Sequence, residues 1–262
     1  MTTDRETLAR TFDRTADLYD EARPQYPEAL FDDLARVSGG DAGARVLELG
    51  CGTGKASVAL ARRGYRLTCI EPGPNLAQVA RRNLAAFDAK IITSSFEEWP
   101  LEPGAFDIVA AATSWEWMDP ALKFAKAAAA LRPGGCVAIF SNAQVESQDP
   151  DGFWVRCQEV YGRHAPHMLD PKWRTMADLP RSIDQRFVGV GLEEAGVFVY
   201  PWVEAYDTDR YIKVLQTFSN HIALAEDVRA ALLRDMATLI DQSFGGVVEK
   251  HWFSTLELAR KP

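Results

Sequence analysis

The feature that most constrains the fold is a short apolar segment that runs directly into a glycine-rich turn. Residues 45–49, Arg-Val-Leu-Glu-Leu, are followed at 50–54 by Gly-Cys-Gly-Thr-Gly. Residues 55–63 then carry an Ala- and Leu-rich pattern that predicts a helix. Glycine takes positive φ angles at no steric cost and lets another group approach the backbone closely. The segment therefore predicts a strand, a tight turn and a helix, the opening unit of an α/β fold.

The same alternation continues along the chain. Strands are predicted at 66–71, 90–93, 106–111 and 136–141, and helices at 74–87 and 121–131. The turn Arg132-Pro133-Gly134-Gly135 is predicted to end the second of these helices, because proline cannot continue a helix. Parallel strands need crossover connections, which the intervening helices supply. The pattern predicts a Rossmann-like, doubly wound α/β fold with a mostly parallel sheet.

Beyond residue 141 the alternation is looser. The predicted elements are a helical insertion at 146–185, a strand at 197–203, a helix at 208–241 and a last strand at 247–259, which brings the sheet to seven strands. The long helix carries an apolar stripe at near-helical spacing, formed by Val228, Leu232, Met236 and Leu239. We expect a single domain over 1–262. Its parts are N-terminal lid helices at 1–40, a cofactor-binding core at 41–145, and a substrate cap with the last two strands at 146–262.

Composition excludes several kinds of partner. The 262-residue chain has a net charge of −8 and no basic stripe, so a nucleic acid is not expected to bind. The four cysteines, Cys51, Cys69, Cys136 and Cys157, are scattered without C-x-x-C spacing, which predicts buried thiols and no metal site. The first ten residues are polar and no apolar run of roughly 20 residues follows, so we expect a cytoplasmic protein without membrane contact.

The glycine turn indicates the charge of its ligand. A dinucleotide fingerprint would need G-x-G-x-x-G, but position 55 is Lys and the glycines follow G-x-G-x-G. Glu48 just before the turn repels a pyrophosphate and suits a sulfonium or ammonium group. Glu71 ends the second predicted strand about twenty residues later, where an acid accepts hydrogen bonds from ribose hydroxyls. Together these residues predict a positively charged, adenosine-like cofactor.

At these residues the chain resembles the class I S-adenosylmethionine-dependent methyltransferases. The similar segments are Val46–Gly54, Ile70–Pro72, Ser95–Leu101, Phe106–Val109, Ala112–Trp117 and Leu131–Gly135. The stretch from Phe12 to Pro27 resembles the N-terminal lid of a small-molecule branch, methyltransferase type 11, which includes trans-aconitate methyltransferases.

The resemblance implies S-adenosylmethionine as cofactor and S-adenosylhomocysteine as product. The cofactor-binding residues that it implies are Tyr19, Arg23, Glu48, Gly50, Cys51, Gly52, Thr53, Gly54, Glu71, Pro72, Ser95, Phe96, Ala112 and Thr113. Tyr26 is a further lid residue on the same basis.

Methyl transfer from a sulfonium requires above all that the acceptor be placed opposite the leaving sulfur. A carboxylate acceptor needs no base, whereas a hydroxyl or a carbon acid does. Glu116, in the Trp-Glu-Trp loop that should face the methyl group, is the candidate catalytic base; many relatives carry His at this position, so no role of that His is transferred. His164 and His167 are weaker candidates.

Substrate binding is assigned to aromatic and basic residues of the loop and the insertion. The candidates are Trp115, Trp117, Arg163, His167, Trp173 and Arg174, with Trp154, Lys172 and Arg181 nearby. The basic residues would clamp an anionic acceptor or form a solvated face, and the tryptophans would line a pocket or pack in the core. The predicted reaction is methylation of a small, carboxylate-bearing or natural-product-like molecule by a monomer or homodimer. A nicotinamide-dependent oxidoreductase and a non-catalytic S-adenosylmethionine-binding protein are the alternatives.

Overall fold

The computed structural model describes residues 13–145, 152–169 and 179–262. The strands are β1 (Arg45–Leu49), β2 (Arg66–Glu71), β3 (Ala89–Thr93), β4 (Phe106–Ala112), β5 (Leu131–Val145), β6 (Glu193–Asp207) and β7 (Val247–Arg260). The helices are α1 (Ala16–Ala22), α2 (Glu28–Ser38), α3 (Lys55–Arg62), α4 (Pro74–Asn83), α5 (Lys123–Ala130), α6 (Phe153–His164), α7 (Gln185–Gly189), α8 (Thr208–Leu215), α9 (Ser219–Ile222) and α10 (Glu226–Ser243).

The strands form one seven-stranded sheet in the order β3-β2-β1-β4-β5-β7-β6. The pairs β1–β2, β2–β3, β1–β4 and β4–β5 are parallel. Strand order reverses between β1 and β4, and open sheets of this type bind ligands outside the carboxyl ends of the strands at such a point. The predicted Rossmann-like α/β fold is confirmed, and the first turn lies at the reversal.

The chain divides into two compact units. Unit 1 comprises 1–24, 143–179 and 201–253, and unit 2 comprises 25–142, 180–200 and 254–262. A single domain with a lid and a cap remains a prediction. No helix in the described ranges is both long and apolar enough to cross a bilayer.

Unit 2 has a buried cluster on each face of its sheet. Because side chains alternate along a strand, Val46 of β1 joins one cluster and Leu47 and Leu49 join the other. The first cluster includes Leu30 and Leu34 of α2, and the second includes side chains of α5 and α7. Helices thus cover both faces, as a parallel sheet requires.

Unit 1 has an apolar core that encloses several polar side chains. Leu232 and Met236 of α10 are fully buried, which confirms the centre of the predicted stripe. His221 is also buried, and its Nε2 lies 2.9 Å from the Tyr161 hydroxyl. Burial lowers the pKa of His221 to about 4, and the positive charges of Lys250 and Arg23 act in the same direction. This imidazole is therefore neutral at physiological pH.

The predicted helix at 208–241 is wrong as a single element, since the structure has α8, α9 and α10 there. The first break lies at Thr217, whose hydroxyl donates to the Val214 carbonyl at 2.6 Å. The Thr217 carbonyl accepts from the Arg23 guanidinium at 3.0 Å, and Phe218 is extended. A second extended residue, Ala225, precedes α10. Contacts with a distant arginine thus replace the helical hydrogen bonds.

Other boundaries differ by smaller amounts. The helix predicted to reach residue 87 ends at Asn83, and β6 extends beyond the predicted 197–203 at both ends. The predicted turn at 132–135 lies inside β5 as an irregularity: Phe106 pairs with Leu131, but Ile108 pairs with Cys136. Helix α5 nonetheless ends just before this segment, as the proline and glycines predict.

Candidate cofactor site and active site

The glycine turn at 50–54 follows β1 at the strand-order reversal. Gly50, Gly52 and Gly54 have φ angles of 65°, 57° and 87°, a region that other residues rarely adopt. The backbone N–H groups of Gly50 and Cys51 both donate to the Ile70 carbonyl, at 2.8 and 3.1 Å. The turn is therefore fixed against β2 by its first two residues.

Glu71 fixes the same turn from the end of β2. Its carboxylate accepts from the backbone N–H of Gly52 at 2.8 Å and from that of Gly73 at 2.9 Å. The residue is 5% exposed. Its two oxygens thus hold two different turns, one after β1 and one after β2. The predicted ribose-binding acid thus also shapes the cofactor turn.

Glu48 is fully buried beneath the turn. Its Oε2 accepts from the Ser57 hydroxyl of α3 at 2.6 Å, whereas its Oε1 has no hydrogen-bond partner among the described residues. Burial raises the pKa of Glu48 to about 7, the Ser57 bond opposes this, and the Glu71 charge adds to it. A positively charged ligand within reach would favour the ionised form.

The residues of the turn fit the cofactor that the resemblance implies. Within the described ranges, the buried Thr53 hydroxyl also lacks a hydrogen-bond partner. A Cβ at Gly52 would meet no atom within 4 Å, so the backbone there faces open space. The Asn83 side chain holds the Thr53 carbonyl at 2.9 Å. An open glycine turn with two unsatisfied buried oxygens suits a ligand that carries hydrogen-bond donors and positive charge.

The loop after β4 contacts the glycine turn. A Cβ added to Gly50 would lie 2.7 Å from Cβ of Ser114, whose hydroxyl donates to the Leu49 carbonyl. The preceding Thr113 is exposed and has a φ of 55°. A β-branched residue in this left-handed region is strained, and such strain collects at functional sites. Ala112 thus ends β4 and Thr113 follows it beside the turn, where the sequence predicts cofactor contacts.

The Trp-Glu-Trp loop is a 3-10 turn in which the three side chains differ in exposure. Trp115 is 5% exposed and packs on the rings of Phe124 and Phe187, and Lys123 donates to its carbonyl at 2.8 Å. Its side chain therefore belongs to the core rather than to a pocket wall. Glu116 is exposed and Trp117 is half-buried. Their predicted roles in catalysis and substrate binding remain predictions.

The segment predicted to border the adenine is fixed by one lysine. Lys126 donates to the carbonyls of Phe96 and Trp99 at 2.6 Å each, and desolvation lowers its pKa. Phe96 is 4% exposed, so its ring packs inside while Ser95 is half-buried.

Two further predicted cofactor residues, Pro72 and Cys51, differ in exposure. Pro72 is exposed and Cys51 is buried.

Two predicted lid residues lie in unit 1. The Arg23 guanidinium donates to the Thr217 hydroxyl at 2.8 Å and lies over the Phe218 ring at 4.3 Å and the Tyr19 ring at 5.1 Å. In the structure Arg23 therefore anchors α1 to the segment between α8 and α9. A contact of Tyr19 or Arg23 with the cofactor remains a prediction.

The predicted anion clamp is only partly described. Arg163 and His164 both contact the Asp235 carboxylate, at 3.2 and 2.9 Å. The hydrogen bond from His164 and the charge of Arg163 lower the pKa of Asp235. His167 is exposed. Trp173 and Arg174, like Lys172, lie outside the described residues.

Sequence reasoning missed three residues that support the site. Ser57 bonds to Glu48, Asn83 holds the turn at Thr53, and Lys126 holds the backbone at 96–99. Each lies on a helix and reaches a different segment. Their residue types alone do not indicate which helix face meets the sheet edge, so no local pattern could have singled them out.

A glycine turn at the strand-order reversal, framed by two buried acids, is typical of an α/β protein that binds a nucleoside at the ends of its first two strands. A family profile described as "Methyltransferase domain" matches residues 46–135. An uncharacterized methyltransferase of Mycobacterium tuberculosis is 34% identical over 171 residues, which are 65% of this chain and 66% of the relative. The ubiquinone biosynthesis O-methyltransferase of Xanthomonas campestris is 38% identical over 183 residues, 58% of this chain and 77% of the relative.

The fold is also that of known methyltransferases. A structure from Anaeromyxobacter dehalogenans, provisionally assigned as a type II methyltransferase, superposes with a TM-score of 0.65 at 23% identity. It covers 91% of this chain and 97% of the other. The chain belongs to the S-adenosylmethionine-dependent methyltransferases, the family whose cofactor is S-adenosylmethionine. The alternative of a nicotinamide-dependent oxidoreductase is thereby set aside.

The contact between Gly50 and Ser114 predicts a stability difference between two glycine substitutions. Gly50→Ala and Gly104→Ala each place a Cβ at a φ near 65°, but nothing lies within 4 Å at Gly104. We expect Gly104→Ala to lower the free energy of unfolding by about 1–2 kcal/mol. Gly50→Ala should cost ~1–3 kcal/mol more because of the close contact. Urea unfolding measures both; equal losses would refute the steric contribution.

The raised pKa of Glu48 predicts that the cofactor-free protein loses stability as pH rises. The pKa of Glu48 in the folded protein, about 7, exceeds the ordinary 4.5. The contribution of Glu48 to the free energy of unfolding is therefore complete below pH 4.5 and is lost as the pH rises through 7. Relative to Glu48→Gln, the unmodified protein should lose about 3 kcal/mol of unfolding free energy between pH 4 and pH 8. Cys51, Cys69 and Glu71 are common to both proteins, so parallel pH profiles would contradict the assignment.

The position of Glu71 predicts its contribution to cofactor binding. Glu71→Ala should weaken S-adenosylhomocysteine binding roughly 10- to 100-fold, as loss of a charged hydrogen bond does. An analogue without the ribose hydroxyls separates ribose binding from turn shaping. Calorimetry should show that the unmodified protein discriminates against this analogue and that Glu71→Ala does not. A variant that still discriminates would limit Glu71 to shaping the turn.

Proposed function

We propose that this protein methylates an oxygen atom of a small-molecule acceptor. The observation that carries the proposal is the open glycine turn, framed by the unsatisfied Glu48 oxygen and the Glu71 carboxylate, next to an exposed loop after β4. The 38% identical relative named as an O-methyltransferase favours oxygen as the acceptor atom. Because that relative acts in ubiquinone biosynthesis, phenols are included among the acceptors to test.

The residues of the protein hold the cofactor and orient the acceptor, while the cofactor supplies the reactive methyl group. When bound, S-adenosylmethionine provides a methyl group activated by its sulfonium. Glu71 would bind the ribose, the turn at 50–54 would hold the methionine end, and Glu48 would balance the positive charge. The loop at 112–117 orients the acceptor. Orientation of two bound reactants lowers a barrier by roughly 7–11 kcal/mol in favourable cases, so no further chemistry is required of the chain for an acceptor that is already ionised.

Glu116 is the proposed base for a hydroxyl acceptor. It is exposed in the middle of the 3-10 turn. The hydrogen bond to Asp184 is the largest cause of the raised pKa of Arg186, and the charge of Glu116 contributes to it. An exposed carboxylate on this loop can take a proton that solvent then carries away. For a carboxylate acceptor, which has no proton to remove, Glu116 would only shape the site.

The proposal extends to the chemical class of the acceptor, which is a carboxylate-bearing or natural-product-like molecule. Arg181 is exposed in unit 2, whereas Arg163 is engaged with Asp235 in unit 1. Trp117 offers a half-buried aromatic surface on the same loop as Glu116. A cytoplasmic location and a monomeric or homodimeric state belong to the same proposal.

Release of S-adenosylhomocysteine across a panel of carboxylates, phenols and amines tests the proposed function. We expect turnover with an oxygen acceptor and none with amines. Glu116→Gln should lower kcat at least tenfold for a phenol if the carboxylate is the base, and leave a carboxylate acceptor unaffected. Turnover of amines alone would overturn O-methylation. Tight cofactor binding without turnover of any acceptor would instead favour the non-catalytic alternative.

A further inference from the structure

Asn142 links three separate segments of unit 2. Its side-chain Nδ2 donates to the Gln25 carbonyl at 3.2 Å, and its Oδ1 accepts from the Ser254 hydroxyl of β7 at 2.6 Å. Ser254 is fully buried and Asn142 is half-buried, so the second bond lies partly inside the protein. Both ends of the Asn142 amide are therefore engaged, which fixes the backbone just before Tyr26 to β5.

Tyr26 is in turn held in a single orientation. Its ring packs edge-on against Phe140 at 5.1 Å and Phe31 at 6.3 Å between centroids. Its hydroxyl lies 2.6 Å from Oγ1 of Thr113. The Tyr26 hydroxyl therefore lies at the end of β4, next to Thr113, the residue with the strained backbone.

The Tyr26–Thr113 hydroxyl pair lies beside the glycine turn. The N–H of Thr113 donates to the Phe140 carbonyl at 2.8 Å, and the next residue, Ser114, is in contact range of a Cβ at Gly50. A strained backbone persists only where its surroundings over-determine it. Here the surroundings are the Tyr26 hydroxyl on one side and the glycine turn on the other.

We propose that Asn142 is a positioning residue for methyl transfer, which acts by holding Tyr26 so that the Tyr26–Thr113 hydroxyl pair binds the acceptor oxygen. Paired hydroxyls both donate and accept hydrogen bonds and carry no charge. They suit a phenol or a carboxylate oxygen and place it at the end of β4. This inference rests on the proposed O-methylation and adds the residues that orient the acceptor.

Two substitutions separate the positioning from the contact. Tyr26→Phe removes only the hydroxyl, and Asn142→Asp keeps the acceptor for Ser254 but cannot donate to the Gln25 carbonyl. Tyr200→Phe is the matched control, because it removes a phenol that donates to Asp33 at 2.8 Å elsewhere in unit 2. With an acceptor from the panel, we expect each of the first two to lower kcat/KM for the acceptor at least tenfold. The control should stay within about twofold, the usual range for a substitution away from the site.

The double variant and the cofactor affinity distinguish this proposal from a lid over the cofactor. The kcat/KM of the Tyr26→Phe/Asn142→Asp protein for the acceptor should be no lower than that of the poorer single variant, because Asn142 acts through Tyr26. Affinity for S-adenosylhomocysteine should stay unchanged in all variants. Additive losses would overturn the positioning role, and a parallel loss of cofactor affinity would make Tyr26 a cofactor residue instead.

Hydrogen exchange tests the positioning step without any acceptor. Exchange of the backbone amides of Tyr26 and of residues 28–31 should accelerate in Asn142→Asp and not in Tyr200→Phe. Unchanged exchange would overturn the inference even if the protein is an O-methyltransferase. Failure of the unmodified protein to turn over any oxygen acceptor would instead defeat the proposed function, which keeps the two failures distinct.

Discussion

The two hydrogen bonds that the Glu71 carboxylate accepts from Gly52 and Gly73 organise the rest of the site. One side chain spans the turn after β1 and the turn after β2, so it sets the distance between them. The Ile70 carbonyl accepts two more bonds from the start of the first turn. Four backbone N–H groups thus converge on the end of β2. The glycine turn keeps its left-handed conformation because it is tied at this point, and the loop after β4 then packs against an already fixed surface.

The two acids of the site occupy different environments and so differ in character. Glu71 receives two hydrogen bonds from backbone N–H groups, one in each of two turns. Glu48 receives one from Ser57 and is fully buried, and its raised pKa follows from that burial. Their charges repel each other across neighbouring strands. A ligand with positive charge would relieve this repulsion, whereas a pyrophosphate would increase it, so the two acids favour a positively charged nucleoside.

The sequence predicted those parts of the structure whose causes are local. The bounds of β2, the start of α3 and the positive φ of three glycines depend on residues next to one another, and the structure has them as expected. The break at Thr217 was not predictable, because it depends on Arg23, which lies 194 residues away. The sequence did not show whether the Trp115 side chain packs in the core or lines a pocket. Its stacking on the Phe187 ring shows that it packs in the core. Neither the Arg23–Thr217 contact nor the Trp115–Phe187 contact could be predicted from the residues that surround each position in the sequence.

The same distinction divides the site itself. The predicted cofactor residues at 48–54 and 71–73 lie at the ends of two adjacent strands, so their placement depends on local pairing. The residues proposed to orient the acceptor, Tyr26, Thr113 and Asn142, come from distant parts of the chain and meet only through tertiary contacts. Ser114 connects the two sets, because it follows Thr113 in the chain and a Cβ at Gly50 would lie 2.7 Å from its own Cβ. The residues proposed for the acceptor are therefore placed against the same turn that the cofactor residues form, and the sequence pattern around that turn could not show this.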